Sequence, residues 1–268
     1  ILTGLPAIIQ PIQKKFYKNI IGKKKFKFNA AINKIFSYDN FITKKAEYNA
    51  YNLASNLKID CCPYCNRQYT ITINKKGKRG QIIRPEIDHY FSKSKYPLLA
   101  ISFYNLIPSC TICNSTFKGS KEFKLSSHIH PYIDNVINLI EFDYEPLATN
   151  LTGHWRDGIE VKIANNGKNS DLKKIKNSLA TFKIKQIYNS HTSVVCDILN
   201  LKDSINGDYL EILAKNTYSG LRTSQNELYS LAFGNYLEEK DFHKKPFSKI
   251  TKDILIKEKM LETLAKCK

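Results

Sequence analysis

Residues 109–119 read SCTICNSTFKG, and this stretch decides the fold because it joins two closely spaced cysteines to a polar helical segment. Cys110 and Cys113 have the C-x-x-C spacing with which a tight turn presents two thiolates to one metal ion. Asn114 follows the second cysteine directly, and Lys118 lies about one helical turn further on. The stretch therefore raises the question of whether a structural metal site here also holds a functional residue in place.

A second C-x-x-C pair, Cys62 and Cys65, lies upstream, and 44 residues separate the two pairs. Four thiolates complete the tetrahedral shell of a structural zinc ion. The seven cysteines are an odd number, which favours a metal site over a disulfide framework. Chance burial of thiols would explain two such pairs poorly. Cys61 competes with Cys62 as a ligand, but only Cys62 has the two-residue spacing to Cys65.

The composition indicates a globular protein with a polyanionic partner. The 268 residues are 42% hydrophobic, and 42 basic against 24 acidic residues give a net charge of +18. Such a charge favours nucleic acid, because neutralised phosphates release counterions. A lysine-rich proteome of low GC content would produce a similar charge. No window approaches 18 uninterrupted apolar residues, so we expect a soluble, cytoplasmic protein with no membrane association.

Asp88 and His89 lie between the two cysteine pairs, in the stretch RPEIDHYF. Histidine is the usual general base near neutral pH, and aspartate is a good ligand for a hard cation. Successive strand residues point to opposite faces, so the two side chains serve one site only if the strand ends or bulges there. A satisfied histidine beside a surface aspartate is the alternative. Asn105 and Asn114 follow at 16 and 25 residues after His89.

The series Asp88-His89, Asn105, Cys110-x-x-Cys113-Asn114 and Lys118 resembles the HNH endonuclease motif, over roughly residues 62–119. In that family a two-stranded hairpin and a helix surround one catalytic metal, the ββα-metal fold, and many members carry two C-x-x-C zinc pairs. Asn stands at the third motif position, where many members have His.

The resemblance implies a role for each of these residues. His89 would be the general base, Asp88 and Asn114 would hold the catalytic cation, and Asn105 would fix the loop that orients His89. Asparagine is a hard oxygen ligand, which favours Mg²⁺ or Mn²⁺ at the catalytic position.

Phosphodiester hydrolysis needs an activated water and stabilisation of the developing charge, which a base and a divalent ion supply. Nearby cations could bind the substrate backbone. Lys118 would face the same way as Asn114 on a helix and neutralise a phosphate oxygen, and Arg84, Lys93 and Lys95 flank the hairpin. For all four residues, a solvated surface is an equally good interpretation.

The longer stretch IDHYFSKSKYPLLAISFYNLIPSCTICN, residues 87–114, is similar to HNH subunits of bacterial antiphage systems, including the Septu type and retron-linked versions. That resemblance implies an ATPase partner and a defence role, with DNA as substrate and RNA left open. The alternative is a non-catalytic, zinc-stapled nucleic-acid-binding or adaptor subunit. A third interpretation is a subunit that is active only when assembled.

The predicted fold class is α+β, with a small ββα-metal HNH core and a Cys₄ zinc site embedded in a mainly helical chain. We expect a helical segment over residues 1–60, a nuclease core over 61–125, and a mainly helical region over 126–268 packed on the core. Within these the patterns predict a helix over 44–58, strands over 68–74 and 81–91, a short helix within 96–106, and a two-stranded piece at 154–164.

Overall fold

The computed structural model describes residues 2–18, 20, 22–43, 47–74, 81–147, 158–204 and 224–262. The chain divides into two compact units, residues 1–135 with 176–182 and residues 136–175 with 183–268. Both units combine helices with two-stranded sheets, as an α+β class predicts. The first unit contains both the 1–60 and 61–125 segments, and their separation into domains stays a prediction.

The helices of the first unit lie mainly before the first cysteine pair. They are α1 Pro6–Tyr17, α2 Lys23–Ile35, α3 Tyr38–Ile42 and α4 Ala50–Leu57. The helix predicted over 44–58 begins only at Ala50, because Asn49 caps it. The Asn49 side chain accepts a 3.0 Å hydrogen bond from the backbone N–H of Tyr51. The backbone N–H of Asn49 donates in turn to the side-chain oxygen of Asn52, which completes a capping box. Residues 44–46 lie outside the described part of the chain.

Four short strands of the first unit form two separate antiparallel pairs. They are β1 Ile73–Asn74, β2 Gln81–Ile83, β3 Glu86–His89 and β4 Leu106–Ser109. β1 pairs with β2, whereas β3 pairs with β4. The single strand predicted over 81–91 is therefore divided, at Arg84-Pro85, where proline lacks the N–H of a continuous ladder. The strand predicted over 68–74 is regular only at β1.

The segment 96–106 differs from the predicted short helix. It forms two 3₁₀ turns, Pro97–Leu99 and Phe103–Asn105, and then enters β4. The second cysteine pair follows, and a π-helix spans Ile112–Lys118. The chain order here is thus strand, loop, antiparallel strand and helix.

A hydrophobic cluster supports one face of the β3–β4 pair. Ile87 and Leu106 pack with Ala50, Leu53 and Phe41, so the helices α3 and α4 contact the sheet. Partly buried Tyr38 packs against the same cluster. This cluster leaves the opposite face of β3 to the π-helix.

The second unit combines helices with a two-stranded sheet, and the prediction of a mainly helical region over 126–268 with a two-stranded piece stays a prediction. Its described elements are α5 Val136–Leu139, β5 Ile140–Pro146, β6 Ile159–Asn165, the first part of α6 Asn169–Thr181, α7 Ile184–Asn189, α8 Ser193–Ser204, α9 Gln225–Phe233, a 3₁₀ turn Glu239–Lys244 and α10 Ser248–Lys257. β6 confirms strand structure within 154–164, but its partner is β5, and residues 154–157 lie outside the described ranges. None of the described helices is both long and apolar enough to cross a bilayer.

Candidate active site and metal centre

The four cysteines of the two C-x-x-C pairs meet in one buried cluster. The sulfur atoms of Cys62, Cys65, Cys110 and Cys113 all lie within 4.8 Å of one another. Burial raises the pKa of the Cys62 thiol, so four thiolates need a cation to share this space. The donor set and its closeness fit a structural metal such as zinc.

Local backbone geometry builds each half of the cluster. The N–H groups of Cys65 and Asn66 both donate to the carbonyl of Cys62, and Asn66 takes a left-handed φ of 45°. In the second pair the N–H of Cys113 donates to the sulfur of Cys110 at 3.4 Å. Cys61 stays outside the cluster, and burial raises the pKa of its thiol to about 12.

The two carboxylates of strand β3, those of Glu86 and Asp88, lie toward the π-helix. Glu86 accepts bonds from the Asn114 amide at 2.7 Å and the Ser115 hydroxyl at 2.9 Å. One strand period later, Asp88 accepts a 2.7 Å bond from Lys118. The structure therefore brings Asp88 and Asn114 to the same face of β3, with Glu86 beside them.

His89 lies toward the opposite face of β3, which it shares with Ile87. Its ring meets the ring of Tyr38 edge-on, with the centroids 4.3 Å apart, and the Tyr38 hydroxyl donates to the carbonyl of Ile87. His89 remains paired with Leu106 in the strand register, so no bulge turns it toward Asp88. The strand alternation thus separates the predicted base from the predicted metal ligands.

The His89 ring is fixed in one tautomer by its neighbour. Nε2 lies 2.9 Å from the carbonyl oxygen of Ala100, which can only accept, so Nε2 carries the proton and Nδ1 the lone pair. Burial lowers the pKa of His89 to about 4, and the charges of Lys93 and Lys118 act in the same direction. The imidazole is therefore neutral at physiological pH.

Both carboxylate oxygens of Asp88 are engaged by donors. Oδ1 pairs with the Lys118 ammonium, and both side chains are only 3% exposed. Oδ2 accepts a 2.6 Å bond from the hydroxyl of Tyr64, which lies between Cys62 and Cys65. Lys118 also donates to the carbonyl of His89 at 2.7 Å, and its ammonium lies over the Phe123 ring.

Asn105 is completely buried and bonds the loop between β3 and β4. Its amide oxygen accepts from the N–H of Phe91 at 2.6 Å, and its amide nitrogen donates to the carbonyls of Phe91 and Leu99. The carbonyl of Asn105 also accepts from the N–H of Tyr90. The bond to Leu99 holds the backbone directly before Ala100, whose carbonyl orients His89.

The four predicted phosphate-binding residues occupy different environments. Lys118 is buried and pairs with Asp88, so its ammonium does not lie on an exposed helix face. Lys95 is exposed but pairs with Glu122, and partly buried Arg84 lies over the Tyr51 ring. Lys93 is exposed, and its ammonium lies 4.6 Å from the Tyr38 ring centroid, beside His89.

Sequence reasoning missed four residues that build this region. Glu86 and Ser115 bond each other next to Asn114, Tyr64 bonds Asp88, and Tyr38 contacts His89. Glu86 had a signal, because it precedes Asp88 by one strand period. Tyr64 had one in its position inside the first cysteine pair. Tyr38 had none, since it lies about 50 residues from His89 in the sequence.

Comparison with known proteins gives one partial similarity. The chain is 38% identical over 69 residues to the Septu protein PtuB of Bacillus thuringiensis. That stretch covers 25% of this chain and 26% of the relative, so the chain matches about a quarter of the relative's length. No protein-family model matches the chain, and no solved structure matches it significantly.

Proposed function

We propose that this chain is an HNH-type endonuclease that hydrolyses DNA phosphodiester bonds in bacterial antiphage defence. In this proposal β3, β4 and the π-helix form the ββα core, and the cysteine cluster holds zinc. The observation that carries it is the tautomer of His89, whose Nδ1 lone pair is oriented by the Ala100 carbonyl. The similarity to a Septu protein supports the defence role, and a partner subunit belongs to the same proposal, with an ATPase as the expected class.

The chemistry assigned to His89 follows from its protonation state. A neutral imidazole can take a proton from water through Nδ1 as the water oxygen bonds to phosphorus. The bond between phosphorus and the leaving sugar oxygen then breaks, and that oxygen takes a proton from solvent. Lys93, beside His89, offers a positive charge to the phosphate.

The proposed catalytic cation, Mg²⁺ or Mn²⁺, would stabilise charge on the phosphate when bound. The predicted ligand pair does not fit it as a set, because the oxygens of Asp88 are bonded to Lys118 and Tyr64. Asn114 fits better as a ligand, since its amide nitrogen bonds Glu86 and its amide oxygen is a hard donor on a partly exposed side chain. It lies on the face of β3 opposite His89, so this cation is not assigned to the water that His89 activates. We therefore derive no catalytic step from Asp88.

The second candidate function is a non-catalytic, zinc-stapled nucleic-acid-binding or adaptor subunit of a defence complex. The buried pair of Asp88 and Lys118 favours it, because that pair makes a carboxylate in the motif a structural group. An adaptor does not need an oriented neutral histidine beside an exposed lysine. His89 is therefore the residue on which the two functions differ.

Plasmid cleavage with Mg²⁺ or Mn²⁺ distinguishes them. We expect the wild-type protein to nick or cut the plasmid, and His89→Ala to abolish cleavage. His128→Ala is the matched control, because His128 is also a partly buried histidine whose pKa burial lowers to about 4. Equal cleavage by His89→Ala would refute the mechanism. If the wild type is inert both alone and with its candidate ATPase partner, the adaptor function is preferred.

A further inference from the structure

The buried ammonium of Lys118 lies 2.7 Å from Oδ1 of Asp88, the carboxylate that the HNH resemblance assigns to a catalytic cation. We infer that Asp88 and Lys118 form a permanent structural ion pair that fastens the π-helix to β3, and that Asp88 is not a ligand of a divalent cation. This inference concerns the site of the proposed function and rests on it only for the location of that cation. Under this inference Asp88 does not bind the catalytic cation, and Lys118 does not contact the phosphate.

The hydrogen bonds around Asp88 already satisfy both of its oxygens. Oδ1 lies 2.7 Å from the Lys118 ammonium, and Oδ2 lies 2.6 Å from the Tyr64 hydroxyl. Each oxygen keeps a second lone pair, but both side chains of the ion pair are only 3% exposed. A divalent cation would therefore have to lie beside the Lys118 ammonium, against its charge, or displace one of the two donors. Displacement would take the acceptor from the Tyr64 hydroxyl or the counter-charge from Lys118.

The environment of Lys118 opposes such a displacement. Its side chain is 3% exposed, and its other contacts are the carbonyl of His89 and the ring of Phe123. A lysine on a solvated surface can swing into water when a cation arrives, whereas this one would leave a buried charge without its partner. The ion pair is therefore a fixed part of the fold.

The π-helix explains why Lys118 reaches the strand. The N–H of Gly119 donates to the carbonyl of Asn114 at 2.7 Å, a bond that spans five residues and widens the turn. Gly119 closes this turn with a φ of 49°, which glycine adopts without strain. Asn114 and Lys118 then contact Glu86 and Asp88, which lie one strand period apart. These and two further hydrogen bonds join the helix to the strand, and the bond between Lys118 and Asp88 is fully buried.

The test compares four full-length proteins: wild type, Asp88→Asn, Lys118→Met and the double variant. Urea unfolding is followed by circular dichroism, and Mn²⁺ binding by the electron paramagnetic resonance signal of the free ion. We expect Lys118→Met to unfold at lower urea than the double variant, because it leaves a buried carboxylate without its counter-charge. We also expect the double variant to bind Mn²⁺ within twofold of the wild-type affinity.

Two outcomes would overturn the inference. One is a loss of Mn²⁺ affinity of tenfold or more in the folded double variant, and the other is a double variant less stable than both single variants. If the charge variants do not fold, Tyr64→Phe replaces them, since it frees Oδ2 and keeps both charges. Unchanged Mn²⁺ affinity in Tyr64→Phe supports the inference, and a tenfold gain overturns it. Plasmid cleavage by the wild type is measured separately, so a failure of the nuclease proposal is recognised independently.

Discussion

The side-chain amide of Asn105 bonds both backbone polar groups of Phe91. Its oxygen accepts from the Phe91 N–H at 2.6 Å, and its nitrogen donates to the Phe91 carbonyl at 3.1 Å. The same amide nitrogen donates to the carbonyl of Leu99. The loop between β3 and β4 is therefore closed by one fully buried side chain. Because Ala100 follows Leu99, this closure also fixes the carbonyl that orients His89.

Replacing Asn105 should cost more stability than replacing a surface asparagine. Asn105→Leu removes three hydrogen bonds and leaves the N–H and carbonyl of Phe91 without the Asn105 amide, whereas the Leu99 carbonyl keeps its bond from the Ser102 N–H. We expect the free energy of unfolding to fall by about 3 kcal/mol, measured by urea denaturation. Asn56→Ala is the control, because Asn56 is exposed and should change stability by less than about 0.5 kcal/mol. Equal effects of the two substitutions would mean that Asn105 does not hold the loop.

The sequence predicted the parts of this site that depend on spacing alone. Two C-x-x-C pairs predict a four-cysteine cluster whatever the fold between them, because a structural zinc ion requires only that the four thiolates converge around it. The partner of β3 was not predictable in this way. The pattern of 96–106 is as apolar as a short helix, and only tertiary packing of Leu106 with Ile87 identifies β4 as the partner strand.

The environment of Lys118 was also beyond the sequence. A lysine four residues after Asn114 has the spacing of an exposed helix face, and nothing in the chain marks a π-helical turn. The burial of Lys118 depends on Asp88 and Phe123, which surround it only in the folded state. Strand alternation, in contrast, was foreseeable: it predicted that Asp88 and His89 face apart unless the strand ends or bulges there. β3 ends at His89, but His89 is still paired with Leu106 and no bulge is present.

Metal content should depend on the cysteines of the cluster and not on Cys61. We expect about one zinc ion per purified chain, as a Cys₄ site binds one. Cys62→Ser and Cys110→Ser should each lower this content and the unfolding temperature. Cys61→Ser is the matched control, since Cys61 is buried next to Cys62 but lies outside the cluster. Zinc measured by atomic emission that is unchanged in Cys62→Ser would contradict the assignment.

Acidification should destabilise the protein through its buried neutral histidines. The pKa of His89 and of His128 is about 4 in the folded chain, below the ordinary value of 6.5, chiefly because of burial. Between these values the unfolded state binds a proton that the folded state does not, so stability is present above pH 6.5 and falls toward pH 4. His89 contributes at most about 3 kcal/mol to this loss, and half-buried His128 contributes less, because solvent screens its charge.

The comparison that checks this dependence uses His128→Gln, which removes one of the two groups. Its unfolding free energy should change less between pH 6.5 and pH 4 than that of the wild type, as measured by urea titrations at each pH. His89→Gln should reduce the slope in the same direction. If neither substitution reduces the change in unfolding free energy between pH 6.5 and pH 4, the acid sensitivity comes from other groups.

Asn114 should matter for cleavage more than for stability. Its side chain is partly buried and bonds Glu86, so Asn114→Ala should lower the free energy of unfolding by only about 1 kcal/mol. If its amide oxygen holds the cation, cleavage with Mn²⁺ should fall by at least about tenfold. Ser115→Ala is the matched control for Asn114→Ala, because Ser115 is the neighbouring residue and donates to the same Glu86 oxygen. Equal losses of cleavage in both variants would assign the effect to the position of Glu86.

Lys93 should contribute more to nucleic-acid binding than Lys95, although both are exposed in the same loop. Glu122 pairs with Lys95 and offsets its charge, whereas Lys93 lies over Tyr38 beside the proposed base. In fluorescence anisotropy titrations with duplex DNA, Lys93→Gln should weaken binding and reduce the dependence of log affinity on log salt by about one ion. Lys95→Gln should have a smaller effect.

Glu122→Gln is the opposite test, because it releases the Lys95 charge and should strengthen binding. Weaker binding by Glu122→Gln would show that the pair of Lys95 and Glu122 shapes the loop and does not mask its charge.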